Sequence, residues 1–211
     1  MENPDLSGAY ALSSPEDCQR LYADWAETYD TKFAQSMEYR LPAEVAAAYL
    51  RADPPTGAVL DIGAGTGLLA AALRGLGFAG DIDGVDISAA MLEKAAIKGH
   101  YRKLTEANIT RPLPGATRYA GLVSSGTFTH GHVGPEALPP LLQSAQPGAL
   151  VVLSVNRAVW ESLGFAEAFE TLGSKVQNLT LTDVPIYGDK AADQDPAHAA
   201  DRALLVQFRV T

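Results

Sequence analysis

An apolar strand runs straight into three spaced glycines, Val59-Leu60-Asp61-Ile62-Gly63-Ala64-Gly65-Thr66-Gly67, and this limits what the chain can fold into more than any other feature. A strand, a tight glycine turn and a helix start, in that order, let backbone approach a ligand closely at the positive end of a helix. The pattern around the turn fits a parallel sheet with helical crossovers. Strands are expected at residues 58–62, 82–86, 102–104, 121–124 and 149–155. Helices are expected between them at 68–74, 89–98 and 135–144, stopped by Gly75, Gly99 and Pro147-Gly148. Beyond Leu172 two longer strands, 175–187 and 202–210, flank an Asp-rich loop and read as an antiparallel hairpin closing the sheet.

Ahead of the turn the periodicity is helical. Ser14-Pro15-Glu16-Asp17 has a capping hydroxyl, a proline suited to the first helical position and acids at the positive helix end. The helix is predicted over 15–34, with Cys18, Leu21, Tyr22, Trp25, Ala26, Tyr29 and Phe33 on one face. A second helix is expected at 42–50, and Asp53-Pro54-Pro55-Thr56-Gly57 then breaks the chain. Residues 1–53 thus read as N-terminal lid helices, 58–155 as the core and 156–211 as a C-terminal helix and hairpin, all within one domain, 1–211.

A length of 211 residues suits one domain that needs neither disulfides nor metal staples. Sixteen basic against twenty-five acidic residues give a net charge of −9, which repels a phosphate backbone, so no nucleic-acid partner is expected. Cys18 is the single cysteine, and Met1-Glu2-Asn3-Pro4 lacks the positive start of a signal peptide, so a cytoplasmic location is expected. The longest apolar stretch, around 149–155, is far too short to span a bilayer.

Asp86 ends the second strand nineteen residues after Gly67, where its carboxylate could accept both ribose hydroxyls of a nucleoside. Dinucleotide enzymes share that arrangement, but their fingerprint counted from Gly63 and Gly65 wants a small residue at Leu68, whereas the third glycine here is Gly67. That spacing disfavours a pyrophosphate.

At these residues the chain resembles the class I S-adenosylmethionine-dependent methyltransferases. Residues 61–67 match the family's motif I, and Gly84-Val85-Asp86-Ile87-Ser88-Ala89-Ala90-Met91-Leu92 matches motif II. It is similar, more narrowly, to the Williams-Beuren region methyltransferase-like group through residues 22–30, 101–114 and 131–136. The resemblance implies an α/β, Rossmann-like, seven-stranded, mostly parallel sheet, with S-adenosylmethionine as cofactor and S-adenosylhomocysteine as product. It also implies that Asp61, Gly63, Ala64, Gly65 and Gly67 belong to the cofactor site, with backbone at Gly63, Ala64 and Gly65 along the methionine part. Asp86 then falls on the ribose, and Ile87 and Met91 border the adenine. Members often carry an aspartate after the third strand to meet the adenine amino group. Here Ala107-Asn108-Ile109 offers Asn108, whose amide oxygen could accept that bond.

Other candidates have two readings each. Tyr22, Trp25 and Tyr29 read equally as core and as an aromatic lid suited to a sulfonium cation. Ser124-Ser125-Gly126-Thr127-Phe128 lies at the carboxyl edge of the sheet, placing Ser125 and Gly126 by the cofactor and Thr127 and Phe128 by the acceptor. His130 and His132 read as loop decoration or as a general base on a substrate hydroxyl or amine. No His or Cys spacing points to a metal. The expected function is methyl transfer to a small-molecule acceptor. The alternatives are a non-catalytic cofactor-binding module acting through a protein partner and an NAD-dependent reductase; oligomeric state is left open, a homodimer included.

Overall fold

The computed structural model describes residues 15–115 and 117–211. The expected Ser14 cap and the Cys18 side chain lie outside what it describes. Its strands are β1 (Val59–Ile62), β2 (Ile82–Asp86), β3 (Lys103–Glu106), β4 (Tyr119–Phe128), β5 (Ala145–Asn156), β6 (Val176–Pro185) and β7 (Arg202–Val210). They form one seven-stranded sheet in the order β3-β2-β1-β4-β5-β7-β6. The first five pair in parallel, and β7 runs antiparallel to both β5 and β6. The expected hairpin is therefore present, with its second strand inserted between β5 and the first.

The pleat sorts apolar side chains to two cores. Val59, Leu150, Val152 and Leu205 face one layer, with Val45, Tyr49, Leu69 and Leu73 from α2 (Leu41–Arg51) and α3 (Leu68–Gly75). Leu60, Val151, Leu153 and Val206 face the other, with Leu141, Trp160 and Phe169 from α5 (Leu138–Leu142), α6 (Arg157–Ser162) and α7 (Phe165–Leu172). A sheet covered on both faces explains the near-continuous apolar run of β5, buried from Ala149 to Asn156.

Three local departures from the sequence expectations have identifiable causes. The first helix, α1 (Pro15–Trp25), stops well short of residue 34, and the chain resumes as a π-helix over Tyr29–Gln35. The wider π turn carries buried Phe33 into the core while Tyr29 lines a cavity. The single helix expected over 135–144 is a 3-10 turn (Pro135–Ala137) followed by α5, because Pro139 and Pro140 have no N–H to continue an upstream helix. Both β4 and β5 run longer than expected. Register shifts between Tyr119 and Gly121 and between Ser124 and Phe128 accompany the passage of β5 through Pro147-Gly148 and of β4 through Gly126.

Candidate cofactor and acceptor site

Strand order reverses between β1 and β4, and the crevice beyond their carboxyl ends is where open α/β sheets take ligands. A cavity of about 400 Å³ lies there. Its floor is the glycine turn. Gly63, Gly65 and Gly67 all have positive φ (67°, 52° and 87°), and a Cβ on Gly63 would sit 2.0 Å from Thr127 Oγ1 at the end of β4. The turn and the β4 end therefore touch, backbone against side chain.

Asp86 ties the turn to β2. Its Oδ2 accepts from Gly65 N–H (2.8 Å) and its Oδ1 from Ser88 N–H (2.8 Å). Ser88 itself caps α4 (Ala89–Ile97) through Met91 N–H, so Asp86 is not spent as the helix cap. Burial raises the Asp86 carboxyl pKa above its ordinary value, against the pull of backbone bonds from Ser88, Gly65 and Ile87.

Of the expected site residues, Tyr22, Tyr29, Gly63, Ala64, Gly65, Asp86, Ile87, Met91, Asn108, Ile109, Ser125, Gly126, Thr127 and His132 line this cavity. Trp25 and Phe128 line a smaller adjoining chamber of about 40 Å³ instead. Gly67 and His130 line neither of the two, and Asp61 lies beneath the turn, 1 % exposed. Asp61 Oδ2 accepts from Tyr101 O–H (2.6 Å), while its buried Oδ1 has no hydrogen-bond partner among the described residues. Burial pushes the Asp61 carboxyl up to about 7, with the Tyr101 bond opposing and the Asp86 charge adding.

Asn108 differs from expectation. Its Oδ1 already accepts from Thr110 N–H (2.9 Å) and Thr110 Oγ1–H (2.8 Å), an Asx turn that fills the oxygen and leaves the amide N–H₂ as the available polar group.

Sequence reasoning missed Tyr39, Thr66, Thr110 and Glu136 on the cavity wall. Thr66, between two of the glycines, was open to inspection. Its Oγ1–H donates to Asp30 Oδ1 (2.5 Å) of the π-helix, and Asp30 Oδ2 lies 2.5 Å from Lys98 Nζ. The N-terminal cover is thus fastened to the glycine turn. It is fastened again where Tyr22 meets His132: His132 Nδ1 is 2.6 Å from the His130 carbonyl and Nε2 is 2.8 Å from Tyr22 Oη. A carbonyl only accepts, so Nδ1 carries the proton and Nε2 accepts from the tyrosine. Burial pulls the His132 pKa below its ordinary value; the His130 carbonyl opposes this in part.

Among the described residues no cluster of three or more His, Cys, Asp or Glu side chains could hold a metal ion. No helix among them is long and apolar enough to cross a membrane.

A family model for the methyltransferase domain matches residues 33–195. Human methyltransferase-like protein 27 is 34% identical over 163 residues, covering 74% of this chain and 65% of the human protein, so the chain spans just under two thirds of that relative. Among solved structures, a putative S-adenosylmethionine-dependent methyltransferase from Methanococcus maripaludis matches with TM-score 0.62 at 15% identity, over 92% of this chain and 93% of that one. The cyclase SpnF matches with TM-score 0.65 at 13% identity, over 94% and 97%. The sheet order, the glycine turn and the family match agree: the chain belongs to the class I S-adenosylmethionine-dependent methyltransferases.

Proposed function

We propose that this chain catalyses methyl transfer from S-adenosylmethionine to a small-molecule acceptor. One observation carries the reading: Asp86 at the end of β2 is bonded to the Gly65 N–H of the turn that follows β1, on the floor of a cavity of about 400 Å³ beside the strand-order reversal. The residues fit the cofactor. Beside its bonds from the Ser88, Gly65 and Ile87 backbone, Asp86 keeps acceptor capacity for a ribose hydroxyl. The orphaned Asp61 Oδ1 is an acceptor that a cationic or water-bridged donor would satisfy. Ile87 and Met91 offer apolar surface for the adenine, and Asn108 offers an amide donor rather than the acceptor expected from sequence.

Bound there, S-adenosylmethionine supplies an electrophilic methyl on a sulfonium sulfur. The chain's own part is alignment and exclusion of water. Tyr22 and Tyr29 close the cavity with aromatic faces that tolerate a sulfonium cation, and the Thr66–Asp30 bond holds that cover down. A small acceptor is supported by the net charge of −9 and by cavities that no Lys or Arg side chain lines among the described residues.

The fold is shared with a protein named as a cyclase, so transfer itself must be measured. Calorimetry with S-adenosylhomocysteine and with NAD comes first, followed by labelled methyl transfer into a broad small-molecule panel. Binding of S-adenosylhomocysteine with product formation supports the proposal. Binding of NAD alone would sink it, and cofactor binding with no transfer to any acceptor would point to a non-catalytic module.

A further inference from the structure

The two edges of the sheet are finished differently. β3 is four residues long, Lys103-Leu104-Thr105-Glu106, with a charge at each end, a composition that keeps an edge from pairing with foreign strands. β6, at the other edge, carries no charge from Val176 to Thr182, and six consecutive residues, 177–182, are exposed. Leu179 and Leu181 among them are 42% and 46% exposed. The other exposed large apolar side chains among the described residues, Leu76, Ile97 and Leu163, stand singly at the ends of different helices, as scattered surface residues do. Leu179 and Leu181 share one face because they lie two residues apart, past the bulge at Asn178, whose φ is 56°. Leu181 pairs with Val206 across the ladder, so that face is the one covered further in by α6 and α7. The cover reaches β7, where the Phe169 and Phe208 ring centroids are 5.3 Å apart, and leaves the two leucines of β6 bare.

We propose that the β6 edge is the interface of a homodimer, in which a second copy of this chain adds its own β6 antiparallel with Thr180 on the two-fold axis. Symmetry and charge select a second copy over an unrelated strand. A two-fold axis perpendicular to the sheet keeps every residue on its own face, so each must oppose one an even number of positions away. With Thr180 on the axis, Leu179 opposes the partner's Leu181 and Leu181 opposes the partner's Leu179. Two leucine pairs then close side by side on one face, while Thr180 meets its own copy on the other. Moving the axis to Leu181 sets Leu179 against Asp183, and moving it to Leu179 sets Leu181 against Gln177. A net charge of −9 makes most self-contact repulsive, but no bare acid stands in this seam. The first acid along the strand, Asp183, falls opposite Gln177 and is already paired with Arg157 and Arg202.

The regular run of this edge is short and the Asn178 bulge ends it, so the interface is small and the association weak, with a dissociation constant of about 10 to 100 μM. Pairing closes at two, because each chain has one such edge and the pairing uses it up. Residues 177–182 line neither the main cavity nor the smaller chamber, so the dimer leaves both open. The inference therefore stands apart from the methyltransferase reading.

The test uses the intact protein. Sedimentation equilibrium from about 5 to about 500 μM should show monomer and dimer and no larger species. Leu179→Lys combined with Leu181→Lys should weaken the dimer at least about tenfold, while thermal unfolding at low concentration stays as in the wild type because both positions are exposed. Cysteines read the register in a Cys18→Ser background. Thr180→Cys should oxidise to a linked dimer, since residues directly opposed across a strand pair have Cβ atoms about 4.5 to 5.5 Å apart. Thr182→Cys should not, because its two copies lie about 13 Å apart along the strands. In the wild type, hydrogen exchange over 179–182 should slow as concentration rises, a readout that needs no variant. A monomer throughout, which would leave the edge to an unrelated strand, would overturn the proposal. So would an open-ended series of oligomers, a dimer indifferent to the two lysines, equal linking at 180 and 182, or exchange independent of concentration.

Discussion

Gly65 donates its backbone N–H to Asp86 Oδ2 at 2.8 Å, so the acid proposed to hold the ribose is also the strut that keeps the glycine turn in shape. Asp86→Ala should therefore weaken S-adenosylhomocysteine binding twice over. Each lost charge-assisted bond contributes about 1.5 to 3 kcal/mol, at least about tenfold in Kd. Asp86→Asn keeps one acceptor oxygen and should fall between. Calorimetry reads both, and an unchanged Kd in the alanine variant would remove Asp86 from the site.

The Asp61 carboxyl, held up to about 7 by burial, makes stability depend on pH in an unusual direction for an acid. The folded state binds this proton more tightly than the unfolded chain, whose carboxyl titrates near 4. The contribution is complete below that ordinary value, declines as pH rises, and is gone above about 7. Asp61→Asn keeps an acceptor for Tyr101 but cannot ionise. Its Tm relative to wild type should rise between about pH 5 and about pH 8, measured without cofactor. A difference that is constant across that range would show that Asp61 does not titrate there.

Strands β2 and β7 lie where the sequence places them, β2 between Gly80-Asp81 and the Ser88 helix cap and β7 directly after the Asp-rich loop. The glycine turn and Asp86 were equally legible, being local in sequence and near-obligatory in chemistry. What sequence hid is long-range. Nothing local marks Asp30 as the partner of Thr66, thirty-six residues away, or Tyr22 as the partner of His132, one hundred and ten away. Tyr39 belongs to no periodic face, and it reaches the cavity because Gly126 leaves room for its hydroxyl, which a Cβ there would approach to 2.2 Å. The resemblance points the Asn108 oxygen at the adenine by its position after the third strand, whereas the Thr110 bonds two residues on decide its orientation.

The Thr66–Asp30 bond should couple cover and turn measurably. Thr66 is only 2 % exposed, so Asp30→Ala leaves its hydroxyl buried without this partner, costing about 1 to 3 kcal/mol. Thr66→Val, which keeps the shape and leaves Asp30 beside Lys98, should cost less. In a double-mutant cycle by denaturant unfolding the two should couple by more than about 0.5 kcal/mol. Hydrogen exchange in the π-helix Tyr29–Gln35 should rise in Asp30→Ala. Additive energies with unchanged exchange would mean that the bond does not hold the cover.

Gly63 and Gly99 separate backbone strain from close approach, since their φ values are nearly equal, 67° and 69°, while their surroundings differ. A Cβ on Gly99 meets nothing within 4 Å. Gly99→Ala should therefore cost only the left-handed penalty, about 1 to 2 kcal/mol. A Cβ on Gly63 would lie 2.0 Å from Thr127 Oγ1 and 3.0 Å from Thr127 Cβ. Gly63→Ala should carry the same penalty plus about 1 to 3 kcal/mol of overpacking. The clash falls on a threonine whose hydroxyl donates to the Ile62 carbonyl (3.1 Å), so relief by turning Thr127 would break a bond between the β4 end and β1. Adding Thr127→Ala to Gly63→Ala removes the nearest atom but leaves Cβ at 3.0 Å, so stability should return in part and not in full. Urea unfolding of the three variants gives the comparison: equal costs at Gly63 and Gly99 would show that the turn and the β4 end do not meet as closely as this packing requires.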